Sequence, residues 1–113
     1  TFINLTTLDV SFNRLSTLPR ELIQCKKLTS VDISTNNFVE VPNILLEIQT
    51  IININARGNF IAQVDEEKIE NLDEINLENN PLSNSCRGRL LTIPNVHVIL
   101  SDKRLEDWED LTI

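Results

Sequence analysis

Aliphatic side chains recur along this chain in segments whose starting points are 23, 23 and 21 residues apart. The four segments read LTTLDVSFNRL, LTSVDISTNNF, IININARGNFI and LDEINLENNPL, and they begin at Leu5, Leu28, Ile51 and Leu72. Apolar residues occupy the first, fourth, sixth and eleventh positions of each segment. Because side chains alternate between the two faces of a strand, the fourth and sixth positions share one face and the third, fifth and seventh share the other. Each segment therefore predicts a short strand with one buried and one solvent-exposed face.

The residues between these segments predict short helices or turns. Pro19 and Pro42 occupy the same position in the first two repeats, and proline presets the backbone for a turn or for the first turn of a helix. Strands joined through such connections run parallel, and stacking them buries the apolar columns in one continuous core. The predicted fold class is an α/β solenoid with a parallel concave β-sheet and short helices or turns on its convex side.

Asparagine occupies the ninth position of every segment, as Asn13, Asn36, Asn59 and Asn80. A side-chain amide both donates and accepts hydrogen bonds, so it can satisfy the peptide groups of its own turn and of the adjacent turn. We expect these four residues to have a structural role and not to form a ligand site.

The pattern L-x-x-L-x-L-x-x-N-x-L, followed by a Leu-Pro or Val-Pro step, resembles the leucine-rich repeat of the intracellular type. The resemblance covers most of the chain, and the strings VDISTNNFVEVP and INLENNPL are also similar to one small member of that family. It implies a right-handed superhelix of repeats. Extracellular members usually end in cysteine-rich caps, whereas this chain has two cysteines, Cys25 and Cys86. The family resemblance and the cysteine usage together predict a cytoplasmic protein.

The repeat spacing predicts a single domain over residues 1–113. We expect the tail of a missing preceding repeat at 1–4, repeats at 5–27, 28–50, 51–71 and 72–92, and a degenerate fifth repeat with a C-terminal cap at 93–113. In this register the fifth repeat begins at Ile93. Leu105, Trp108 and Leu111 recur at helical spacing and predict a short cap helix, with a docking motif as the alternative. An uncovered N-terminal edge strand would favour self-association.

Charge and composition narrow the classes of partner. The chain carries 17 acidic and 10 basic residues, a net charge of −7, which disfavours nucleic acid and anionic membranes as partners. No apolar run approaches the roughly 20 residues of a membrane span. His97 is the only histidine, which excludes a multi-histidine metal site. We expect no cofactor, no metal, no nucleic-acid partner and no membrane partner.

The solvent-facing positions of the strands supply the candidate binding surface. A rigid sheet without a cavity presents many side chains at once, which favours a non-catalytic protein–protein interaction module, such as a cytosolic adaptor or a regulatory subunit. Carboxylates outnumber cations at these positions, which favours a basic protein partner. The candidate contact residues are Asp9, Asp32, Asn55, Arg57, Glu74, Asn76, Glu78 and His97.

Two further expectations concern this surface. His97 is expected in the fifth-position column, together with Asn55 and Asn76. Arg57 is expected to lie across from Glu78 on the next strand and to form a lateral ion pair with it.

Two other classes of function stay open. Asp9 and Asp32 are expected on neighbouring strands about 4.8 Å apart, and paired carboxylates suit acid–base catalysis, so an enzyme is a weak alternative. A ligand-sensing receptor ectodomain is the other alternative, in which the sequon Asn4-Leu5-Thr6 would accept a glycan.

Two positions depart from the repeat pattern. Ala56 is smaller than the aliphatic residue expected at the sixth position, and we expect Ile52 or Ile54 to fill the space that it leaves. Cys86 falls in the irregular string NSCRGR and is expected to be exposed, whereas Cys25 occupies a core column.

Overall fold

Five short parallel strands form one sheet in the computed structural model, which describes residues 3–101. The strands are β1 (Thr7–Asp9), β2 (Ser30–Asp32), β3 (Asn53–Asn55), β4 (Glu74–Asn76) and β5 (His97–Ile99). They lie in the sheet in chain order, and each pairs in parallel with the next. The predicted α/β solenoid with a parallel sheet is confirmed.

A short helical element follows each of the first four strands. These elements are a 3₁₀ helix at Arg20–Gln24, α1 at Asn43–Glu47, a second 3₁₀ helix at Glu66–Lys68 and α2 at Asn84–Leu90. Pro19 and Pro42 directly precede the first two elements, with φ of −68° and −56°, which suits the start of a helix. Before the third element the Asp65 side chain accepts a hydrogen bond from the Glu67 amide and caps the helix instead.

The apolar columns of the repeat pattern form the core between the sheet and the helical side. In the fourth-position column Val31, Ile54 and Ile75 are at most 3% exposed. Burial of each such side chain contributes about 1.5–3 kcal/mol. In the first repeat the residues at the first, fourth, sixth and eleventh positions are only partly buried. They are Leu5, Leu8, Val10 and Leu15. Among the described residues, the β1 edge of the core is therefore the less covered part.

The ninth-position asparagines join consecutive turns, as expected from their amide chemistry. Asn59 Nδ2 donates to the Ala56 carbonyl of its own turn at 3.1 Å and to the Ile33 carbonyl of the preceding turn at 3.0 Å, and its Oδ1 accepts from the Phe38 amide at 3.0 Å. The asparagines of the second and fourth repeats make the same three kinds of contact. The two hydrogen bonds of Asn13 both go to its own turn. Three asparagines thus link neighbouring repeats through buried or partly buried hydrogen bonds.

The register of β5 differs from the prediction by two residues. The repeat spacing predicts Asn95 beside Glu74 and His97 beside Asn76, whereas His97 pairs with Glu74 and Ile99 pairs with Asn76. The connection through α2 is longer than assumed, and Asn95 lies before the strand with φ of 67°, outside the range of extended backbone. Since strand faces alternate with a period of two, the shift leaves His97 on the exposed face.

The NSCRGR string is helical and its cysteine is buried, so the prediction of an exposed Cys86 was wrong. The Ser83 side chain accepts a hydrogen bond from the Cys86 amide at 3.2 Å and caps α2. Cys86 is 0% exposed, and its Sγ accepts from the Val64 amide at 3.3 Å. The helix turns this side chain into the core, where a thiol packs as a small apolar group. Cys25 is buried, as predicted.

Ala56 lies fully buried at the sixth position, between the repeats that contribute Ile33 and Leu77. Ile52 is partly buried. Ile54 is buried in its own fourth-position column. The larger sixth-position residues of the neighbouring repeats, Ile33 and Leu77, are at most 1% exposed, and the expectation that Ile52 or Ile54 fills the space stays a prediction.

Some predictions fall outside residues 3–101. These are the cap helix with Leu105, Trp108 and Leu111, and the first two residues of the expected preceding repeat. Between residues 3 and 101, no helix has the length and apolar character needed to cross a membrane.

Candidate functional site

The exposed face of the sheet, here called the concave face, is formed by the third, fifth and seventh positions of the repeats. The paired strands align these positions in columns that cross the sheet. The third-position column is Thr7, Ser30, Asn53, Glu74 and His97, and the fifth-position column is Asp9, Asp32, Asn55, Asn76 and Ile99. Arg57 and Glu78 follow two residues after β3 Asn55 and β4 Asn76. The eight candidate contact residues thus share one face, with His97 in the third-position column instead of the fifth.

The fifth-position side chains also stabilise the ends of their own strands. In the first four repeats each accepts a hydrogen bond from the backbone amide two residues later, a local arrangement open to both aspartate and asparagine. The accepting side chains are Asp9 at 2.9 Å, Asp32 at 2.9 Å, Asn55 at 3.1 Å and Asn76 at 2.9 Å. This second, structural role is visible only in the folded chain, because the sequence pattern marks these positions as solvent-facing.

Asp9 accepts two hydrogen bonds, both from Ser11. The Ser11 hydroxyl donates to Asp9 Oδ1 at 2.6 Å, in addition to the Ser11 amide at 2.9 Å. These two donors lower the pKa of Asp9, because they stabilise its ionised form. A general acid needs the opposite shift, so this environment does not suit Asp9 to that role.

One ion pair and one histidine–carboxylate contact cross the concave face between neighbouring strands. Arg57 Nη1 lies 3.3 Å from Glu78 Oε1, so the predicted lateral pair is confirmed. His97 Nδ1 lies 3.0 Å from Glu74 Oε1, a contact that follows from the corrected register of β5. All four side chains are partly or largely exposed, and each exposed pair contributes about 0–1 kcal/mol.

Within residues 3–101, Arg57 is the only Lys or Arg in the columns of the concave face, and it lies in the C-terminal half of that face. Arg57 and His97 each face a glutamate there. Within residues 3–101, neither Asp9 nor Asp32 takes part in an ion pair. The N-terminal half of the face is therefore the more strongly negative part.

A shallow depression of about 200 Å³ lies on the concave face and opens to solvent. Its lining is mainly polar side chains of the first four strands, among them Thr7, Asp32, Asn53, Asn55 and Glu74. Among the described residues, no three His, Cys, Asp or Glu side chains are grouped closely enough to hold a metal ion. The surface is shaped to contact an extended or protruding partner segment more than to enclose a small molecule.

A further column, which the sequence pattern did not predict, runs along the rim where the strands end. It holds the eighth-position residues Phe12, Thr35, Gly58 and Asn79, whose φ values are 57°, 53°, 73° and 56°. Glycine and asparagine are common in this left-handed region, whereas phenylalanine and threonine are not. Gly58 and Asn79 are residue types that indicate such a turn in the sequence, whereas Phe12 is not.

Comparison with known proteins agrees with this architecture. Residues 3–44 match the family model described as "Leucine Rich repeats (2 copies)". No curated protein matches the chain at a significant level, so the expected similarity to one small member of the family is not confirmed.

Solved structures resemble a larger part of the chain. A leucine-rich-repeat protein of Leptospira interrogans has a TM-score of 0.71 and 24% identity over 83% of this chain and 25% of its own. An internalin of Listeria monocytogenes has a TM-score of 0.70 and 21% identity over 96% of this chain and 33% of its own. Internalin C2 of the same organism has a TM-score of 0.67 and 22% identity over 88% of this chain and 43% of its own.

The chain spans less than half the length of these three proteins. At such identities the likeness concerns the fold alone. Together with the parallel sheet and the asparagine contacts, these findings show that the chain folds as a leucine-rich-repeat solenoid.

Proposed function

We propose that this chain is a non-catalytic protein-binding module whose concave face contacts a basic segment of a partner protein. Leucine-rich-repeat domains generally mediate protein–protein interaction, and stacked repeats present an extended concave surface for it. The observation that carries the proposal is the position of Asp9 and Asp32 on adjacent strands, outside any ion pair within residues 3–101. Two neighbouring carboxylates that form no ion pair within residues 3–101 attract cationic side chains of a partner.

The affinity for a basic segment is expected to depend on salt. Surface charges act mainly on encounter rate and specificity, and ions screen them beyond about 8 Å at physiological ionic strength. A fluorescently labelled peptide of alternating glycine and lysine is a suitable probe, with a glycine–glutamate peptide as its counterpart. We expect the lysine peptide to bind more tightly by fluorescence anisotropy and to lose affinity as salt rises.

A pair of matched variants locates the binding surface. Asp32→Lys with Glu78→Lys reverses two charges on the concave face. Glu21→Lys with Glu70→Lys makes the same change in net charge at exposed positions outside the sheet. We expect the first variant to lose its affinity for the lysine peptide and the second to retain a substantial part of that affinity. Circular dichroism is expected to show that both variants are folded.

The competing surface is the C-terminal tail. Deletion of residues 107–113 tests it with the same peptide. If the deletion abolishes binding while Asp32→Lys with Glu78→Lys binds as the wild type does, the concave assignment is wrong and the tail is the docking segment. Equal binding of the lysine and glutamate peptides by the wild type would contradict the preference for a basic partner.

We also propose an adaptor or regulatory role in the cytoplasm. Both cysteines are buried in the core, which suits a reducing compartment better than a disulfide-stabilised secreted scaffold. Intact-mass analysis of the protein from its natural source tests this location, because Asn4 of the sequon is exposed. A glycan on Asn4 would contradict the cytoplasmic proposal and favour a receptor ectodomain.

Self-association through β1 is a further proposal that the packing favours. Leu8 and Val10 are half-buried, whereas Val31 and Ile33, at the same positions of the second repeat, are at most 3% exposed. Light scattering over a range of concentrations is expected to show dimers or larger species, and Leu8→Lys is expected to reduce them. A strictly monomeric wild type at high concentration would contradict this proposal.

A further inference from the structure

Within residues 3–101, β1 is an edge strand that is paired with β2 on one side only. The Thr6 carbonyl accepts from the Thr29 amide at 2.9 Å, and the Val10 amide donates to the carbonyl of the last residue of β2 at 2.9 Å. Because successive peptide groups of a strand point to opposite edges, the amides and carbonyls of Thr7 and Asp9 point away from β2. The outer edge of β1 therefore offers hydrogen-bond donors and acceptors to another strand.

The spacing of these outer groups fits a second copy of β1 that runs antiparallel. In an antiparallel sheet, the two residues of a hydrogen-bonded pair exchange both of their backbone bonds. A register centred on Leu8 makes such a pair of Thr7 in each copy with Asp9 in the other, and it uses all 3 residues of the strand. The two Leu8 residues then face each other in a pair without backbone bonds, in which side chains come closest. This arrangement satisfies the outward amides and carbonyls of both copies.

The side chains of β1 are also complementary in this register. Asp9 Oδ1 accepts both hydrogen bonds from Ser11, whereas within residues 3–101 Asp9 Oδ2 accepts none. Paired residues of neighbouring strands share a face, so the Thr7 hydroxyl of the other copy lies beside this carboxylate and can donate to it. A parallel pair in register would place Asp9 beside Asp9 instead, and like charges directly opposite each other are destabilising.

Exposed apolar side chains lie beyond both ends of β1. Ile3, before the strand, is 55% exposed, and Phe12, after it, is 80% exposed. An antiparallel partner brings the start of one strand beside the end of the other, so Phe12 of each copy comes to the end of the contact at which Ile3 of the other copy lies. In the strand itself Leu8 is partly buried, whereas Val31 in the same column is 3% exposed. Apolar surface of this kind around an open strand edge is typical of an interaction surface.

We propose that two copies of this chain associate through antiparallel pairing of their β1 strands, with Thr7 of each copy opposite Asp9 of the other. The inference rests on the proposed self-association through β1 and specifies its geometry. The contact has two-fold symmetry and is closed, so it produces a dimer. The competing arrangement stacks β1 on β5 of another copy. Continuing the parallel register there would place Ile99 beside Asp9, and the contact would repeat into an open filament.

Analytical ultracentrifugation of the 113-residue chain tests the symmetry of the contact. We expect an equilibrium of monomer and dimer in which no larger species forms as the concentration rises. Species that continue to grow with concentration would overturn the two-fold arrangement in favour of stacking on β5. A strictly monomeric protein would overturn both this inference and the proposed self-association.

Disulfide cross-linking of Thr7→Cys with Asp9→Cys tests the register, each variant carrying a tag of different mass. We expect an oxidised mixture to give the linked heterodimer, and each variant by itself to give much less linked product. The wild type is the control and is expected to give none, because Cys25 and Cys86 are 0% exposed. If Thr7→Cys links to itself as strongly as to Asp9→Cys, the antiparallel register is wrong and the proposed self-association stands.

Charge substitutions at Thr7 test its pairing with Asp9. Thr7→Lys places an ammonium group opposite Asp9 twice in the dimer, and it is expected to lower the dimer dissociation constant roughly two- to thirtyfold, the range of two exposed ion pairs. Thr7→Glu is expected to raise this constant. Ser85→Lys makes the same change in net charge as Thr7→Lys at an exposed position of α2, and it is expected to have a smaller effect. Equal effects of the two lysine variants would overturn the pairing of Thr7 with Asp9.

Discussion

At the scale of single residues, the ninth-position asparagines make the contacts between neighbouring turns. Asn59 is 4% exposed and bonds to peptide groups of two consecutive repeats. An aspartate would lack the donors and a leucine would lack both kinds of group. In the second, third and fourth repeats one residue type at one position therefore contributes to the stability of the turns.

Asn59→Ala is expected to lower the free energy of unfolding by about 1–3 kcal/mol, because it leaves buried peptide groups without partners. Asn13→Ala is the matched control, since Asn13 is exposed and both of its hydrogen bonds go to its own turn. Urea unfolding followed by circular dichroism measures the two variants. An equal loss in both would contradict the role of Asn59 between repeats.

Asp9 predicts a pH dependence of stability. Hydrogen bonds from the Ser11 hydroxyl and amide lower the pKa of Asp9 in the folded state from its ordinary value of 3.8. Ionised Asp9 therefore stabilises the fold above its unfolded pKa. This contribution is lost as the pH falls through its folded pKa. Asp9→Asn keeps an accepting oxygen, as Asn55 does in its own turn. We expect the wild type to lose more stability than Asp9→Asn between about pH 5 and about pH 2, and identical thermal melts over that range would contradict it.

At the scale of elements, two local devices start the helical segments of the four connections. Pro19 and Pro42 preset the backbone in the first two repeats, whereas Asp65 and Ser83 accept hydrogen bonds from backbone amides in the next two. The devices are interchangeable because each supplies a start for the chain as it leaves the core. This explains why the third and fourth connections did not show the proline that marks the first two.

Ser83→Ala is expected to destabilise the protein by about 1 kcal/mol, because it removes the cap of α2. Ser85→Ala is the control, since Ser85 is exposed and lies inside the same helix. The melting temperatures of the two variants, measured by circular dichroism, test this assignment. A larger loss for Ser85→Ala than for Ser83→Ala would contradict it.

At the scale of the whole molecule, stability comes from columns of side chains that continue from repeat to repeat. Leu77 is 1% exposed and follows Ile33 and Ala56 in the sixth-position column. A repeat contacts only its neighbours, so a disruptive substitution in one column disrupts the packing between the repeats on either side of it.

Leu77→Asp is expected to unfold the protein, because it removes a buried aliphatic group and places a carboxylate in the core. Leu91→Asp makes the same substitution at a leucine that is 69% exposed, and it is expected to remain folded. A thermal melt of Leu77→Asp equal to that of the wild type would show that the core columns are assigned wrongly.

The sequence by itself determined the repeat, the faces of the strands, the structural role of three of the four ninth-position asparagines between turns, and the Arg57–Glu78 pair. The physical reason is that face alternation and repeat spacing are local properties, which a one-dimensional pattern records directly. The eight candidate contact residues could be placed on one face for the same reason.

The tertiary structure alone decided the features that depend on contacts between repeats. The pairing of His97 with Glu74 depends on how many residues α2 takes up before β5, and the burial of Cys86 depends on the rotation of that helix against the core. The left-handed backbone of Phe12 is held by a hydrogen bond to Ser34, 22 residues further along the chain. Such contacts join residues that are distant in sequence, so local propensity does not record them.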